Sequence, residues 1–223
     1  MKFDLEEAHG LLLPRNETGA CRNIKKTARL AWNPKFNNLK VWGELKPGSV
    51  VFDVGAFVGD TAKVFLNRKC EVHAFEPIPE VYVCLLHNCP EAHCYNLALG
   101  DGTRFSISTT HEGNLGGASL RPGDRYSIRL DDLRPQRLDF LKIDVEGYEL
   151  KVIRGAMETI KRLHPVILIE LNVNGLAKFG ATPKLVQETL DDLGYEDQVI
   201  VNHCKKSHNE HWDILCRFNH ESP

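Results

Sequence analysis

The run Asp139-Phe140-Leu141-Lys142-Ile143-Asp144-Val145-Glu146-Gly147-Tyr148-Glu149 sets Lys142, Asp144 and Glu146 at alternate positions. On a regular strand the three share one face, and they fall where that strand should emerge at the ligand-binding edge of a sheet. Carboxylates placed this way suit two chemistries. In the first, Asp144 or Glu146 acts as general base for a hydroxyl that is a poor nucleophile until its proton is accepted, an effect of about 10² to 10⁴-fold in rate. Glu170, closing the apolar run that begins at Val166, is the next candidate for that catalytic role. In the second, Asp144, Glu170 and Asn172 hold Mg²⁺ through oxygen ligands. Mg²⁺ is feasible but not favoured, because acids gather at the carboxyl edge of a parallel sheet with or without a metal. No metal ligand is therefore assigned, and Lys142 reads as a strand lysine paired with an acid.

A second constellation starts at Val50. Val50-Val51-Phe52-Asp53-Val54-Gly55-Ala56-Phe57-Val58-Gly59-Asp60-Thr61 passes from a buried strand through a glycine turn into a helix, an arrangement that points backbone at a ligand. The nicotinamide fingerprint fails, since Phe57 and Asp60 stand where its second and third glycines belong, and no Gly-Lys-Ser/Thr follows to make a P-loop. An acid at the strand end suits a cofactor that carries an ammonium and a sulfonium and no phosphate, as S-adenosylmethionine does. The cofactor-binding candidates are Asp53, Gly55, Ala56 and Gly59 in this loop. Glu76 and Pro77 follow at the end of the next strand, where a carboxylate can accept both ribose hydroxyls. Asn96, Leu97 and Ala98 lie near the adenine, and Asp144 completes the set. Gly55 would let the backbone approach its ligand, and Gly59 would allow close packing where the helix begins.

These side chains need a sheet to hold them. Ser49 to Val54, Glu71 to Phe75, His93 to Leu97, Phe140 to Ile143 and Val166 to Leu171 read as strands separated by helices or longer crossovers. Their near-continuous apolar character fits strands buried on both faces. Arg104 to Ser108 and Tyr126 to Leu130 read as additional strands around a glycine-rich loop, and Gly113 to Ser119 reads as a lid or substrate loop. A helix from Pro183 to Leu193 and strands near Gln198 to Val201 and Trp212 to Arg217 close the chain. The expected fold is α/β, with seven strands, mainly parallel, and helices on both faces. Residues 1–48 read as an N-terminal helical cap with a helix from Thr18 to Leu30 and a loop packed by Trp32, Pro34 and Trp42, and residues 49–223 as the cofactor-binding domain. Tyr148, Asp131 and His111 are further candidates for contact with the acceptor.

Lys and Arg number 28 against 30 Asp and Glu in 223 residues, a net charge of -2, so no bulk positive field draws the chain to nucleic acid or an anionic membrane. A nucleic-acid partner is thus disfavoured, although the first 48 residues are locally basic. The apolar runs are far too short for a membrane span, and an acidic start at Asp4, Glu6 and Glu7 is unlike a secretory signal. The chain reads as cytoplasmic. Its 7 cysteines favour free thiols over a disulfide framework. Two Cys/His concentrations, Cys84 to Cys94 and His203 to Cys216, lack a CxxC pair and read as buried thiols and surface imidazoles.

The motifs taken together resemble the FkbM family of S-adenosylmethionine-dependent methyltransferases. The resemblance rests on Phe52 to Ala56, Phe75 to Pro77, Asn96 to Gly100, Gly117 to Leu120, Arg129 to Leu133 and above all Asp139 to Glu149, in the family's order and across about Val50 to Cys216. It implies a class I methyltransferase (Rossmann-like) fold and transfer of a methyl group to a hydroxyl of a sugar, glycan or small hydroxylated metabolite. Phe57 departs from the family, which commonly has Asn there. Two other functions are open to the same residues: a ribose 2′-O-methyltransferase acting on RNA, and a non-catalytic cofactor-binding or regulatory module.

Overall fold

The computed structural model of the chain describes residues 3–8, 10–15, 41, 43–108, 119–206 and 209–219. The expected helix from Thr18 to Leu30, the aromatic loop at Trp32, Pro34 and Trp42, His111 and the Gly113 to Gly117 loop lie outside them. Seven strands form one sheet: β3 (Val50–Val54), β4 (Glu71–Phe75), β5 (His93–Tyr95), β8 (Phe140–Ile143), β9 (Val166–Asn172), β10 (Asp197–Lys206) and β11 (Asn209–Arg217). Their order across the sheet is β10-β11-β9-β8-β3-β4-β5. Strands β5, β4, β3, β8 and β9 run parallel, and β11 pairs antiparallel with both β9 and β10. The chain moves outward from β3 in one direction and then restarts at β8 on its other side. That reversal of strand order opens a crevice at the carboxyl ends of β3 and β8.

The parallel strands are apolar throughout because helices cover both faces. Val50, Phe52 and Val54 join Leu141, Ile143, Ile167 and Ile169 in one core, while Val51 joins Phe140, Val72 and Leu168 in the other. The period-2 alternation therefore also fixes where the polar exceptions point. Asp53 and Lys142 are register partners on adjacent strands, on the face of Val51 and Phe140. The helices are α1 (Asp60–Asn67), α2 (Pro79–Asn88), α3 (Leu130–Leu133), α4 (Glu149–Arg154), α5 (Met157–Leu163), α6 (Val173–Ala177) and α7 (Pro183–Asp191).

Of two small sheets, one strand, Arg104–Ser108, was read from sequence and the other three were not. The hairpin of β1 (Leu5–Ala8) and β2 (Leu11–Pro14) lies within the segment expected to be helical, and its Leu11 and Leu13 pack with Val58, Val81 and Cys84. Asn88 secures it: the side chain accepts from Leu12 N at 2.7 Å and donates to Leu12 O at 2.9 Å and Val58 O at 2.8 Å. The hairpin thereby braces α2 against the glycine loop. β6 (Arg104–Ser108) pairs with β7 (Ser119–Tyr126), so the second strand of that ribbon precedes the expected Tyr126 to Leu130 rather than coinciding with it. Pro122-Gly123 looks like a turn, but it sits within β7 beside a register shift at Phe105/Ser106. A Cβ on Gly123 would stand 2.4 Å from Ser106 Cβ, so the bulge needs glycine.

Candidate active site

The crevice is built on a buried ion pair. Lys142 Nζ donates to Asp53 Oδ1 at 2.7 Å and to Gly55 O at 3.1 Å, and lies 4.0 Å from Asp144 Oδ2. Asp53 is 0% exposed and Lys142 3%, so the cation facing Asp53 is one of the chain's own. Lys142 thus ties the end of β3, the glycine turn and the end of β8 into one unit. Gly55 makes the approach possible: it has φ 81°, and a Cβ there would stand 1.9 Å from the carbonyl oxygen of Asp144. Its close approach is to the residue that follows β8. At Gly59, φ 90°, a Cβ would meet Cys89 Sγ at 2.6 Å, which matches the packing role expected of it.

Backbone donors in the loop are satisfied within the protein. Gly55 N and Ala56 N both donate to Phe75 O at 3.0 Å, Gly59 N donates to Ala56 O, and Phe57 N donates to Glu76 Oε2 at 3.1 Å. The loop therefore offers no nest of free N–H groups at these positions for a phosphate. Phe57 has φ 51°, in the left-handed region that Asn tolerates better than Phe, a physical reason for the family's usual residue at that place. Glu76 is buried, and its other oxygen accepts from Ile78 N at 2.8 Å. Burial lifts its acid constant to about 7, against the lowering effect of the Ile78 and Phe57 N–H groups and of Lys142. Asn96 Nδ2 donates to Glu76 O at 2.8 Å, so Asn96 positions the acid. Pro77 and Leu97 are half-buried and Ala98 is buried in the same corner, beyond β4 and β5.

At the other side of the switch point, carboxylate oxygens of Asp144, Glu146 and Glu170 all lie within 4.8 Å of one another, each side chain half-buried. The three residues singled out for catalysis are brought together. Glu146 arrives there through a turn, with φ 55°, followed by Gly147 at φ 111°. The turn is pinned by Glu149, a residue whose role the sequence did not reveal. Glu149 is 0% exposed and its Oε1 accepts from Gly147 N at 2.9 Å and Val145 N at 3.2 Å. It satisfies the N–H groups of Val145 and Gly147 ahead of α4. Asp60, the first residue of α1, also belongs to this field: burial raises its acid constant to about 6, countered by Lys142 and reinforced by Asp53 and Asp144.

Burial lifts Glu149 to about 8, offset in part by the Gly147 N–H and raised further by Asp144. An acid whose folded value exceeds its unfolded one holds its proton longer in the native state. Its contribution is therefore fully present below about 4.5 and is lost as pH rises through about 8. Glu149→Gln reproduces the shape of the protonated acid without the ability to ionise. We expect this variant to match the wild type in denaturation at pH 5 and to be the more stable of the two at pH 9; equal slopes of stability against pH would remove Glu149 as the titrating group.

Several other expectations resolve into structural roles. Asn172 caps α6 by accepting from Gly175 N at 3.0 Å, so its oxygen is engaged as a cap and Glu146 stands in the acidic cluster instead. Tyr148 is 2% exposed, with its hydroxyl 2.8 Å from Thr103 Oγ1 and its ring edge-on to Phe179. Asp131 accepts from Thr159 N at 2.8 Å and anchors the start of α5. Cys84 and Cys89 are buried free thiols, each pushed up to about 12 by burial.

A seven-stranded sheet of this order, with an acid-lined crevice at its switch point, is the class I methyltransferase fold. Within that class, residues 124–216 match the family model described as Methyltransferase FkbM domain. The FkbM methyltransferase structure from Methylobacillus flagellatus superposes with a TM-score of 0.54 at 17% identity, covering 86% of this chain and 52% of that one. Hexuronic acid methyltransferase AglP of Haloferax volcanii is 24% identical over 168 residues, 70% of this chain and 67% of that protein. The tRNA (guanine(37)-N(1))-methyltransferase of Xenopus tropicalis is 39% identical over 64 residues, 28% of this chain and only 13% of that protein. No helix among the described residues is long and apolar enough to cross a membrane.

Proposed function

We propose that the chain is an S-adenosylmethionine-dependent O-methyltransferase acting on a hydroxyl of a sugar, glycan or small hydroxylated metabolite. The observation that carries the reading is the convergence of Asp144, Glu146 and Glu170 within 4.8 Å, next to the Asp53–Lys142 pair at the switch point. The donor set fits the cofactor: the loop spends its N–H groups internally, and the surrounding acids suit a cationic molecule without phosphate. Glu76 is the residue for the ribose hydroxyls, since each carboxylate oxygen that accepts one backbone N–H keeps a further acceptor site. Ala98 and Leu97 offer apolar surface to the base. The half-buried Asp60 and Asp144 present negative charge toward the cationic end, with Asp53 acting behind Lys142.

When bound, S-adenosylmethionine supplies an electrophilic methyl group. The protein's part is to hold an acceptor hydroxyl in line and to accept its proton at a carboxylate of the Asp144, Glu146, Glu170 cluster. Positioning alone contributes up to about 7 to 11 kcal/mol. The likeness to a hexuronic acid methyltransferase supports uronic-acid-containing glycans as the first acceptors to screen. Segmental likeness to tRNA methyltransferases supports RNA as a second reading, in which acceptor affinity would fall steeply with added salt. Calorimetric titration with S-adenosylmethionine and S-adenosylhomocysteine, with NAD⁺ as control, tests the cofactor directly; folded protein that binds neither would overturn the proposal. Glu76→Ala should weaken cofactor binding by about 1.5 to 3 kcal/mol through lost charge-assisted hydrogen bonds. A folded variant with unchanged affinity would remove Glu76 from the site.

A further inference from the structure

We propose that Glu71, His73 and His93 bind a divalent transition-metal ion of the zinc class, on one face of the sheet at the amino-terminal side of β4 and β5. His73 and His93 are register partners on adjacent parallel strands, and Glu71 precedes His73 by two, so all three side chains leave the same face. One ligand atom from each lies within 4.8 Å of the other two. Glu71 Oε1 and His73 Nε2 are 3.2 Å apart. Two ligands held about 2.0 to 2.2 Å from one tetrahedral ion are separated by about 3.3 to 3.6 Å, so this pair stands about 0.1 Å from the required spacing. His93 is exposed at the strand start and needs only a side-chain adjustment to close on the same point.

The surroundings of His73 add a second, independent observation. Its Nδ1 is 3.1 Å from the hydroxyl of Tyr95, and the two rings are nearly parallel at 5°. A metal-bound histidine typically has its other ring nitrogen fixed by such a partner, which sets both tautomer and ring orientation. In the tautomer that donates Nδ1–H to Tyr95, the Nε2 lone pair faces Glu71 and can take a cation in place of the hydrogen bond that Nε2 otherwise makes with Glu71 Oε1. The His73 and His93 rings stack 4.7 Å apart at 29°, so His93 rotates out of the stack to bring its lone pair onto the same ion. Two imidazoles and one carboxylate select zinc, nickel or copper over magnesium. Glu71 and His93 are exposed, so an ion reaches the site without unfolding, and water completes the coordination.

Such an ion would clip β5, an edge strand of 3 residues, to β4. It would do so at the end of these strands opposite Phe75 and Glu76, away from the crevice. The role is therefore structural and independent of the reaction proposed above. Metal-stripped full-length protein titrated with Co²⁺ should take up an ion with the intense visible bands of a tetrahedral nitrogen and oxygen site, displaced by Zn²⁺. Zn²⁺ should also raise the melting temperature. His93→Ala and Glu71→Gln, both at exposed positions, should each weaken Co²⁺ binding about tenfold or more, and Tyr95→Phe about tenfold. Melting in chelator that matches the wild type establishes that the variants are folded. Unchanged Co²⁺ affinity in His93→Ala, or a thiolate-to-cobalt charge-transfer band that places the ion on cysteine, would overturn the assignment.

Discussion

Lys142→Met should lower the free energy of unfolding by about 3 to 5 kcal/mol, because it leaves the carboxylate of Asp53 buried without its cation. Asp53 has no exposed surface, and Lys142 Nζ meets its Oδ1 at 2.7 Å. The change also deletes the donor to Gly55 O, so the glycine turn loses a tie to β8. The cost should be smaller at low pH, where Asp53 can take up a proton and the charge disappears. A second substitution separates the pair from simple loss of packing: Asp53→Asn combined with Lys142→Met should recover much of the stability, since a neutral pair of similar volume needs no compensation. Chemical denaturation of the two variants provides the measurement. A single variant within about 1 kcal/mol of the wild type would mean that Asp53 is already solvated or protonated in the native protein.

Why this pair was half legible in sequence is instructive. Lys142 reads as a strand lysine awaiting an acid, and that is what it is; its partner, 89 residues away, becomes evident only from the register of β3 against β8. Strand positions β3, β4, β8 and β9 follow from apolar runs that nothing but a doubly covered sheet explains. The class I methyltransferase fold came with the family resemblance and is borne out, while the order of strands across the sheet is seen only in the topology. The failures are local. The β1–β2 hairpin was missed because Leu11 to Leu13 ending at Pro14 is too short a run to stand out in a segment taken as a helical cap, although Gly10, at φ 75°, is suited to the turn just before β2. β7 was displaced because Pro122-Gly123 ordinarily punctuates a chain, whereas here the glycine serves a bulge. At the site, types and spacing located Asp144, Glu146 and Glu170, but not the burial of Glu149 or the way it fastens their turn. A buried acid and a solvated one are the same letter, and only packing tells them apart.

Asp144→Asn should reduce turnover by about 10² to 10⁴-fold while leaving the cofactor dissociation constant within a few-fold of the wild type. The substitution preserves volume and backbone, and it is the backbone carbonyl of Asp144 that Gly55 packs against, so the turn survives. What disappears is a proton acceptor held 4.0 Å from Lys142 at the junction of β3 and β8. Three carboxylates within 4.8 Å cannot be ranked by distance alone, and so Glu146→Gln and Glu170→Gln belong in the same experiment. If proton acceptance is concentrated at one residue, that variant alone should show the large loss, with the others altering acceptor affinity. If the cluster instead holds Mg²⁺, all three should lose activity together and raise the Mg²⁺ concentration needed for half-maximal rate. Transfer of a labelled methyl group to the acceptor returned by the glycan screen reads both cases. Full activity in Asp144→Asn, with or without Mg²⁺, would move the base to Glu170 or Glu146 and leave Asp144 as part of the electrostatic wall that faces the cofactor.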